Sequence, residues 1–364
     1  MPLTFDEEFR YSRHLVLPGV GMAGQERLKR ARVLIVGAGG LGSPVALYLA
    51  AAGVGTIGIA DADTVDVSNL QRQLIHRTAD TGRLKVDSAA DALLGLNPLI
   101  EARPIPERII AANARQHLAY YDVVVDGTDN FSARYLLNDA CKLLGLPLVF
   151  GSIFRFEGQV TVFDARRGPC YRCLFPEPPP PESVPTCAEG GVLGVLPGMV
   201  GTMQAGETLK LLLGIGEPLI GRLLLLDALE MRFRELRIEK NPACPLCGET
   251  PIITELTDLE EYCGITGGVW EITSEELRAR LPGVTLVDVR EEWEREANPG
   301  FTDALHIPYP AFARRMAELD SAWEIVLFCS AGARSWQAAG LLRRAGFSRA
   351  WSLQGGLVGY QMVR

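Results

Sequence analysis

Residues 33–60 carry no charged side chain, and a glycine cluster interrupts that run at Gly37-Ala38-Gly39-Gly40-Leu41-Gly42. An uncharged stretch of this length is long enough to cross a bilayer as one helix. The glycines, the Ser43-Pro44 step and the later Gly53 and Gly55 speak against that, because each breaks a regular element. The stretch instead reads as a short buried strand at 33–36, a tight turn, an Ala- and Leu-rich helix over 43–52 and a second strand at 57–60. No membrane span is expected.

The same alternation continues with a helix over 85–94, a strand at 123–126, a helix over 133–144 and a strand at 148–150. It predicts an α/β fold, a Rossmann-like, mostly parallel sheet with helices on both faces. Beyond residue 150 the texture changes. Residues 159–163 look like an antiparallel strand, the proline run at 176–185 an extended, mobile crossover, 199–213 a helix and 222–227 a strand. A second, small α/β series then begins. It has a helix-start signature at Thr273-Ser274-Glu275-Glu276, strands at 286–289, 325–328 and 350–353, and a helix over 335–345. The 364 residues are more than one core usually holds. The expected domains are 1–249 and 269–364, joined by a linker over 250–268.

Composition narrows the function. An apolar share of 48% with 22% charged residues excludes a disordered chain. A net charge of −8 argues against direct nucleic-acid binding. Four histidines are too few to favour a His-built metal centre, and eight cysteines in a chain this long are too sparse for a disulfide scaffold. The polar opening MPLTFDEEFRYSRHL lacks a leader pattern, so the expected location is cytoplasmic.

The glycine cluster fits G-x-G-x-x-G between strand and helix, where backbone N–H groups and a helix N-terminus receive phosphate. Alone it suits NAD, FAD, S-adenosylmethionine or ATP equally. An acid follows the next strand, at Asp61 or Asp63, placed to hold ribose hydroxyls. Ser68, Asn69, Leu70, Gln71 and Arg72 come next, then Lys85, then Asp126-Gly127-Thr128-Asp129-Asn130 after the third strand. Arg72 and Lys85 are positioned to neutralise a triphosphate and Asp129 to hold Mg²⁺. A dinucleotide dehydrogenase has little use for such a set.

Two C-x-x-C pairs, Cys170/Cys173 and Cys244/Cys247, can supply four thiolates to one Zn²⁺. The alternative is a redox dithiol, which usually opens a helix after a strand. Prolines 169, 242 and 245 place both pairs in turns and favour the metal. Cys187 follows the proline-rich crossover, where a mobile nucleophile would be useful. Cys141 reads as core, and Cys263 falls in the linker. In the second domain, Cys329-Ser330-Ala331-Gly332-Ala333-Arg334 follows an apolar strand and opens a helix. Loop N–H groups, the helix dipole and Arg334 would there depress a thiol pKa and stabilise a persulfide anion.

RYSRHLVLPGVGMAGQERLKRARVLIVGAGGLG, DADTVDVSNLQRQ and DGTDNFSARYLLND resemble the E1-like adenylyltransferases of the MoeB/ThiF type. These are relatives of the ubiquitin-activating enzymes, and the likeness runs from about residue 5 to 248. Residues from 269 on, through VDVRE, HIP and QGG around the Cys329 loop, resemble a rhodanese domain. The resemblance implies ATP over the glycine loop at Gly40, with Asp61 on the ribose. It puts Ser68, Asn69, Leu70, Gln71, Arg72 and Lys85 on the phosphates, and Asp129 and Asn130 on Mg²⁺ and nucleotide. Arg13 matches an arginine that reaches across a dimer interface, which implies a homodimer.

The implied activity is ATP-dependent adenylation of the Gly-Gly carboxylate of a ubiquitin-like sulfur carrier protein. Sulfur would then pass from a persulfide on Cys329, loaded by a donor such as a cysteine desulfurase or thiosulfate. Cys187 would resolve the disulfide, and the product would be a thiocarboxylate. Molybdopterin, thiamine, thiolated tRNA and cysteine synthesis all stay open as destinations. Three other readings stay open too. They are a nicotinamide-dependent oxidoreductase, a non-enzymatic adaptor, and an activator that conjugates the carrier to proteins through a Cys187 thioester.

Overall fold

The computed structural model describes residues 2–178, 191–258, 270–330 and 332–362. It divides into two compact units, Met1–Tyr262 and Cys263–Arg364. The strands of the first unit are β1 (Arg32–Val36), β2 (Thr56–Ala60), β3 (Glu101–Ile105), β4 (Val123–Asp126), β5 (Leu148–Phe154), β6 (Glu157–Phe163), β7 (Arg222–Asp227) and β8 (Arg232–Arg237). They form one sheet in the order β3-β2-β1-β4-β5-β6-β7-β8. The first five run parallel, and β6, β7 and β8 add on antiparallel.

Strand alternation explains why the middle strands are apolar throughout. Val33, Ile35, Ile57, Ile59, Val123 and Val125 enter one core with the helices Gly42–Ala52 and Val195–Leu213. Leu34, Val36, Val124, Leu148 and Phe150 enter a second core beneath the helices Ala111–Leu118 and Phe131–Leu144. A strand covered on both faces has no use for a polar residue until it reaches its end.

The elements that sequence reasoning missed lie at the margins. β3 is a partly exposed edge strand carrying Pro104, and β8 is exposed along its whole length. Neither shows the apolar run of a central strand. The helix Gly21–Arg30 buries only Gly24, Gln25 and Leu28, too little for a visible stripe. β5 continues past residue 150 to Phe154 before it turns into β6. The described part of the expected linker lies on the first unit. Leu256 packs on the second core, and Asp258 Oδ1 accepts the Ala111 N–H at 2.8 Å.

Among its described residues the second unit holds five parallel strands, β9 (Glu271–Ile272), β10 (Thr285–Asp288), β11 (Leu305–His306), β12 (Ile325–Phe328) and β13 (Ala350–Leu353). Their order is β11-β10-β12-β13-β9. Thr273 and Glu276 form the expected capping box at the start of Ser274–Arg280. β9 and β11 are too short to leave a periodic signal.

Candidate active site

The strand order reverses between β1 and β4, so the turns after those strands open the same crevice at the carboxyl edge of the sheet. The two turns nearly touch. Gly37 sits at φ 99°, and a Cβ there would lie 2.7 Å from the Gly127 carbonyl oxygen. Only glycine allows both the conformation and the approach. Asp61, at the end of β2, accepts the Ala38 N–H on Oδ2 at 2.8 Å and the Asp63 N–H on Oδ1 at 2.9 Å.

The two cations flank this loop. Lys85 opens the helix Lys85–Leu96 and donates to Asp63 Oδ2 at 2.9 Å. The Lys85 side chain is 8% exposed and that of Asp63 62%, so a solvated carboxylate holds a buried ammonium. Arg72 donates to the Ser68 carbonyl at 3.2 Å, and its Cγ lies 3.5 Å from where a Cβ on Gly40 would stand. Ser68 and Asn69 belong to a single 3₁₀ turn that Asp66 caps, with Leu70 directly after it. Gln71 is exposed toward solvent but lies against Gly194 at the head of the helix Val195–Leu213.

In the second turn the roles divide. Asp126 is wholly buried; its Oδ1 accepts the Thr128 N–H and Oγ1–H at 2.9 and 2.6 Å, and its Oδ2 has no partner among the described residues. Burial pushes this carboxyl up, opposed by Arg134 and Thr128. Asp129 is exposed. Asn130 caps the next helix, accepting the Ala133 N–H at 2.8 Å. An open carboxylate on a fixed turn suits Mg²⁺, which keeps most of its own waters. Arg13 is exposed on a separate short helix, Ser12–Leu15.

The sulfur atoms of Cys170, Cys173, Cys244 and Cys247 all lie within 4.8 Å of one another. Individual separations are 3.3 to 3.9 Å. Four thiolates about 2.3 Å from a tetrahedral zinc would stand roughly 3.8 Å apart, so the donor set fits that ion. Its surroundings are tied by polar contacts. Arg172, between two ligands, forms a buried ion pair with Asp139 at 2.7 Å, and Tyr135 donates its hydroxyl to the Phe175 and Glu177 carbonyls. Cys187 and Cys263 lie outside the described residues, as does most of the proline run.

In the second unit Cys329 directly follows β12, is 2% exposed and opens a curled loop. The Gly332 N–H points at its sulfur at 3.1 Å, and Ser335 Oγ lies 3.6 Å away. Gly332 adopts φ 99° as it enters the helix Ala333–Arg344. The carbonyls of Cys329 and Ser330 are taken by the N–H groups of Leu357 and Val358, in the helix Gly356–Met362. Arg334 turns to Glu294 instead, donating from both terminal nitrogens at 2.6 Å, and Ser330 Oγ adds a third bond at 2.6 Å. Burial alone would raise the Glu294 carboxyl. Arg334, Ser330 and the Glu291 N–H outweigh it and bring the pKa down to about 2.

Sequence reasoning passed over Glu294, His76 and Gln204. Glu294 looks like one more acid in an acid-rich helix. Gln204 showed only as a polar residue inside an apolar helix, where it donates to the Asp126 and Val149 carbonyls.

The ThiF family profile matches residues 11–246, and the rhodanese-like domain profile matches residues 273–362. The chain belongs to the ThiF family. A probable adenylyltransferase/sulfurtransferase MoeZ of Mycobacterium tuberculosis is 49% identical over 98% of this chain and 94% of its own length. The adenylyltransferase and sulfurtransferase MOCS3 of Sus scrofa is 47% identical over 87% of this chain and 72% of its own. A sulfur carrier protein adenylyltransferase of Thermus thermophilus is 55% identical over 73% of this chain and 100% of its own, so it matches this ThiF-family chain without filling its length. Among solved structures, Escherichia coli MccB with ATP shares the fold, with a TM-score of 0.57 and 22% identity over 65% of this chain and 74% of its own. Among the described residues no helix is long and apolar enough to cross a membrane.

Proposed function

We propose that the chain adenylates the C-terminal Gly-Gly carboxylate of a ubiquitin-like sulfur carrier protein and then converts it to a thiocarboxylate. One observation carries this reading. A phosphate-type glycine loop flanked by Arg72 and Lys85 stands in the same chain as a loop that aims the Gly332 N–H at Cys329, with Ser335 Oγ beside the sulfur. A sulfur carrier adenylyltransferase and two adenylyltransferase/sulfurtransferases among its relatives agree with it.

A carboxylate cannot accept sulfur until its oxygen becomes a leaving group. In the proposed first step a carrier carboxylate oxygen attacks the α-phosphorus of ATP. The bond from that phosphorus to the bridging oxygen breaks, and pyrophosphate leaves. Arg72 and Lys85 draw off the charge that develops on the departing oxygens. Asp61 keeps lone pairs for ribose hydroxyls while its two backbone bonds fix its direction. Ser68, Asn69, Leu70 and Gln71 line the phosphate side, with Gly40 beneath. Asp129, beside Asn130, would hold Mg²⁺, which supplies further charge neutralisation when bound. The four cysteines would hold a structural Zn²⁺.

In the second step a Cys329 persulfide, loaded by a desulfurase or by thiosulfate, attacks the acyl carbon through its outer sulfur and expels AMP. Cys187 thiolate then attacks the Cys329 sulfur. That releases the thiocarboxylate and leaves a Cys187–Cys329 disulfide, which a thiol reductant must reduce to reset the enzyme. We further propose that 250–268 links domains at 1–249 and 269–364. A homodimer would share Arg13 across its interface, and a reducing cytoplasm would keep the thiols free.

The test is carrier-dependent ATP–pyrophosphate exchange with purified protein and candidate carriers ending in Gly-Gly. Exchange that appears only with carrier supports the proposal. No exchange with any carrier, or nicotinamide binding in place of ATP, overturns it.

A further inference from the structure

His76 is 5% exposed and plays no part in the chemistry above. Its Nε2 lies 3.0 Å from the Ala38 carbonyl oxygen in the glycine loop, and its Nδ1 lies 2.9 Å from Ser88 Oγ, one turn along the helix that Lys85 opens. A carbonyl can only accept, so Nε2 carries a proton. Burial holds the ring below its usual pKa and Lys85 adds to this, while the Ala38 carbonyl, Asp61 and Asp80 pull the other way. In the neutral ring Nδ1 therefore accepts the Ser88 hydroxyl.

Ala38 is thus held from both sides. Asp61 takes its N–H at 2.8 Å, and His76 takes its carbonyl. With both polar groups tied, the following peptides cannot rotate freely. The N–H groups of Gly39 and Gly40 form no backbone hydrogen bond among the described residues. The other end of the imidazole fixes the helix that carries Lys85.

We propose that His76 is a positioning residue for nucleotide: it locks the glycine loop and the Lys85 helix into one arrangement, so that loop donors and ammonium meet the phosphates together. This rests on the nucleotide reading above. It differs from a role in folding alone, because loss of the strut loosens the Gly39 and Gly40 N–H groups, which no backbone acceptor among the described residues takes.

The experiment measures carrier-dependent ATP–pyrophosphate exchange in the full-length protein, with KM for ATP and KM for carrier obtained separately. Bound zinc reports on the fold of the first unit. Three variants are compared with wild type. His76→Leu removes both bonds. His76→Gln keeps a donor for Ala38 and an acceptor for the Ser88 hydroxyl on one amide. Ser88→Ala breaks the helix end only. His76→Leu should raise the ATP KM roughly tenfold or more, as expected from leaving a buried acceptor unpaired, with carrier KM and zinc content unchanged. His76→Gln should stay within about threefold of wild type, and Ser88→Ala should fall between the two.

A lower kcat with unchanged ATP KM in His76→Leu would mark a folding role and overturn the proposal. If His76→Leu does not fold, the other two variants decide. A raised ATP KM in Ser88→Ala beside a near-wild-type His76→Gln supports the strut, and an ATP KM equal to that of wild type in Ser88→Ala overturns the helix tie. A His76→Gln with its ATP KM raised tenfold overturns the loop tie. Exchange absent from wild type would instead remove the adenylation reading, a result separable from any of these.

Discussion

The two loops that carry the proposed chemistry share a plan and differ in where their polar groups point. Each follows a buried parallel strand, bends through a glycine at φ 99° and opens a helix. In the first unit the loop is tied from behind, with Ala38 held by Asp61 and His76, and two cations stand on its flank, Lys85 paired with the solvated Asp63 and Arg72 bonded to the Ser68 carbonyl. In the second unit the Gly332 N–H is aimed at the Cys329 sulfur, and the Arg334 guanidinium is taken up by Glu294. One geometry thus serves two ligand chemistries. A triphosphate needs full positive charges beside the loop. A sulfane sulfur bears one diffuse charge, and neutral donors together with a helix N-terminus suffice for it.

The comparison is broken most sharply by Cys329→Ala, expected to abolish thiocarboxylate formation while leaving carrier-dependent pyrophosphate exchange at wild-type level. Mass spectrometry of the carrier reads the first and isotope exchange the second; joint loss would mean the loops are not independent. Arg72→Ala and Lys85→Ala should each lower kcat/KM for exchange by about 100-fold or more, since the charges act on the transition state. Persulfide loading of Cys329 should be untouched. Arg334→Ala, by contrast, should act through loop order rather than charge.

Stripping metal with a chelator should release about one zinc per chain if the four cysteines hold it. It should also lower the thermal midpoint of the first unit by roughly 10 °C, seen by calorimetry. Gly37→Ala should cost about 1–3 kcal/mol from the disallowed φ, more if Gly127 cannot yield, and denaturant unfolding would show it. The smallest effect is a pH dependence. The Glu294 carboxyl falls from 4.5 to about 2 on folding, so its stabilisation is complete above about pH 4.5 and fades as pH drops toward 2. Glu294→Gln should flatten that part of the second unit's acid-unfolding profile, and an unchanged profile would show that the ion pair adds nothing to folding.

Much of this was legible in the sequence where function and fold use the same signal. VLIV, VVV and IVLF are strands because both faces of each are covered and apolar, and the glycines and acids at their ends mark the crevice. The paired C-x-x-C spacing foretold four sulfurs within reach of one ion. What was hidden depends on contacts between distant residues. His76 is one polar residue in a polar segment until Ala38 is brought to it. The tie between Arg334 and Glu294 spans forty positions. Sequence reasoning gave that arginine to the thiol because nothing in the loop itself shows a competing carboxylate. β3 and β8 were missed because an edge strand, wet on at least one side, lacks the uniform apolar run.

The helix Gly356–Met362 forms the floor under Cys329, supplying the N–H groups that engage the Cys329 and Ser330 carbonyls. The sulfur loop is therefore held by chain that comes well after it, so a protein cut short before Gly356 would leave the Cys329 and Ser330 carbonyls without those donors. On the proposed division of labour such a truncation would lose sulfur transfer while carrier-dependent pyrophosphate exchange, assigned to earlier residues, persisted.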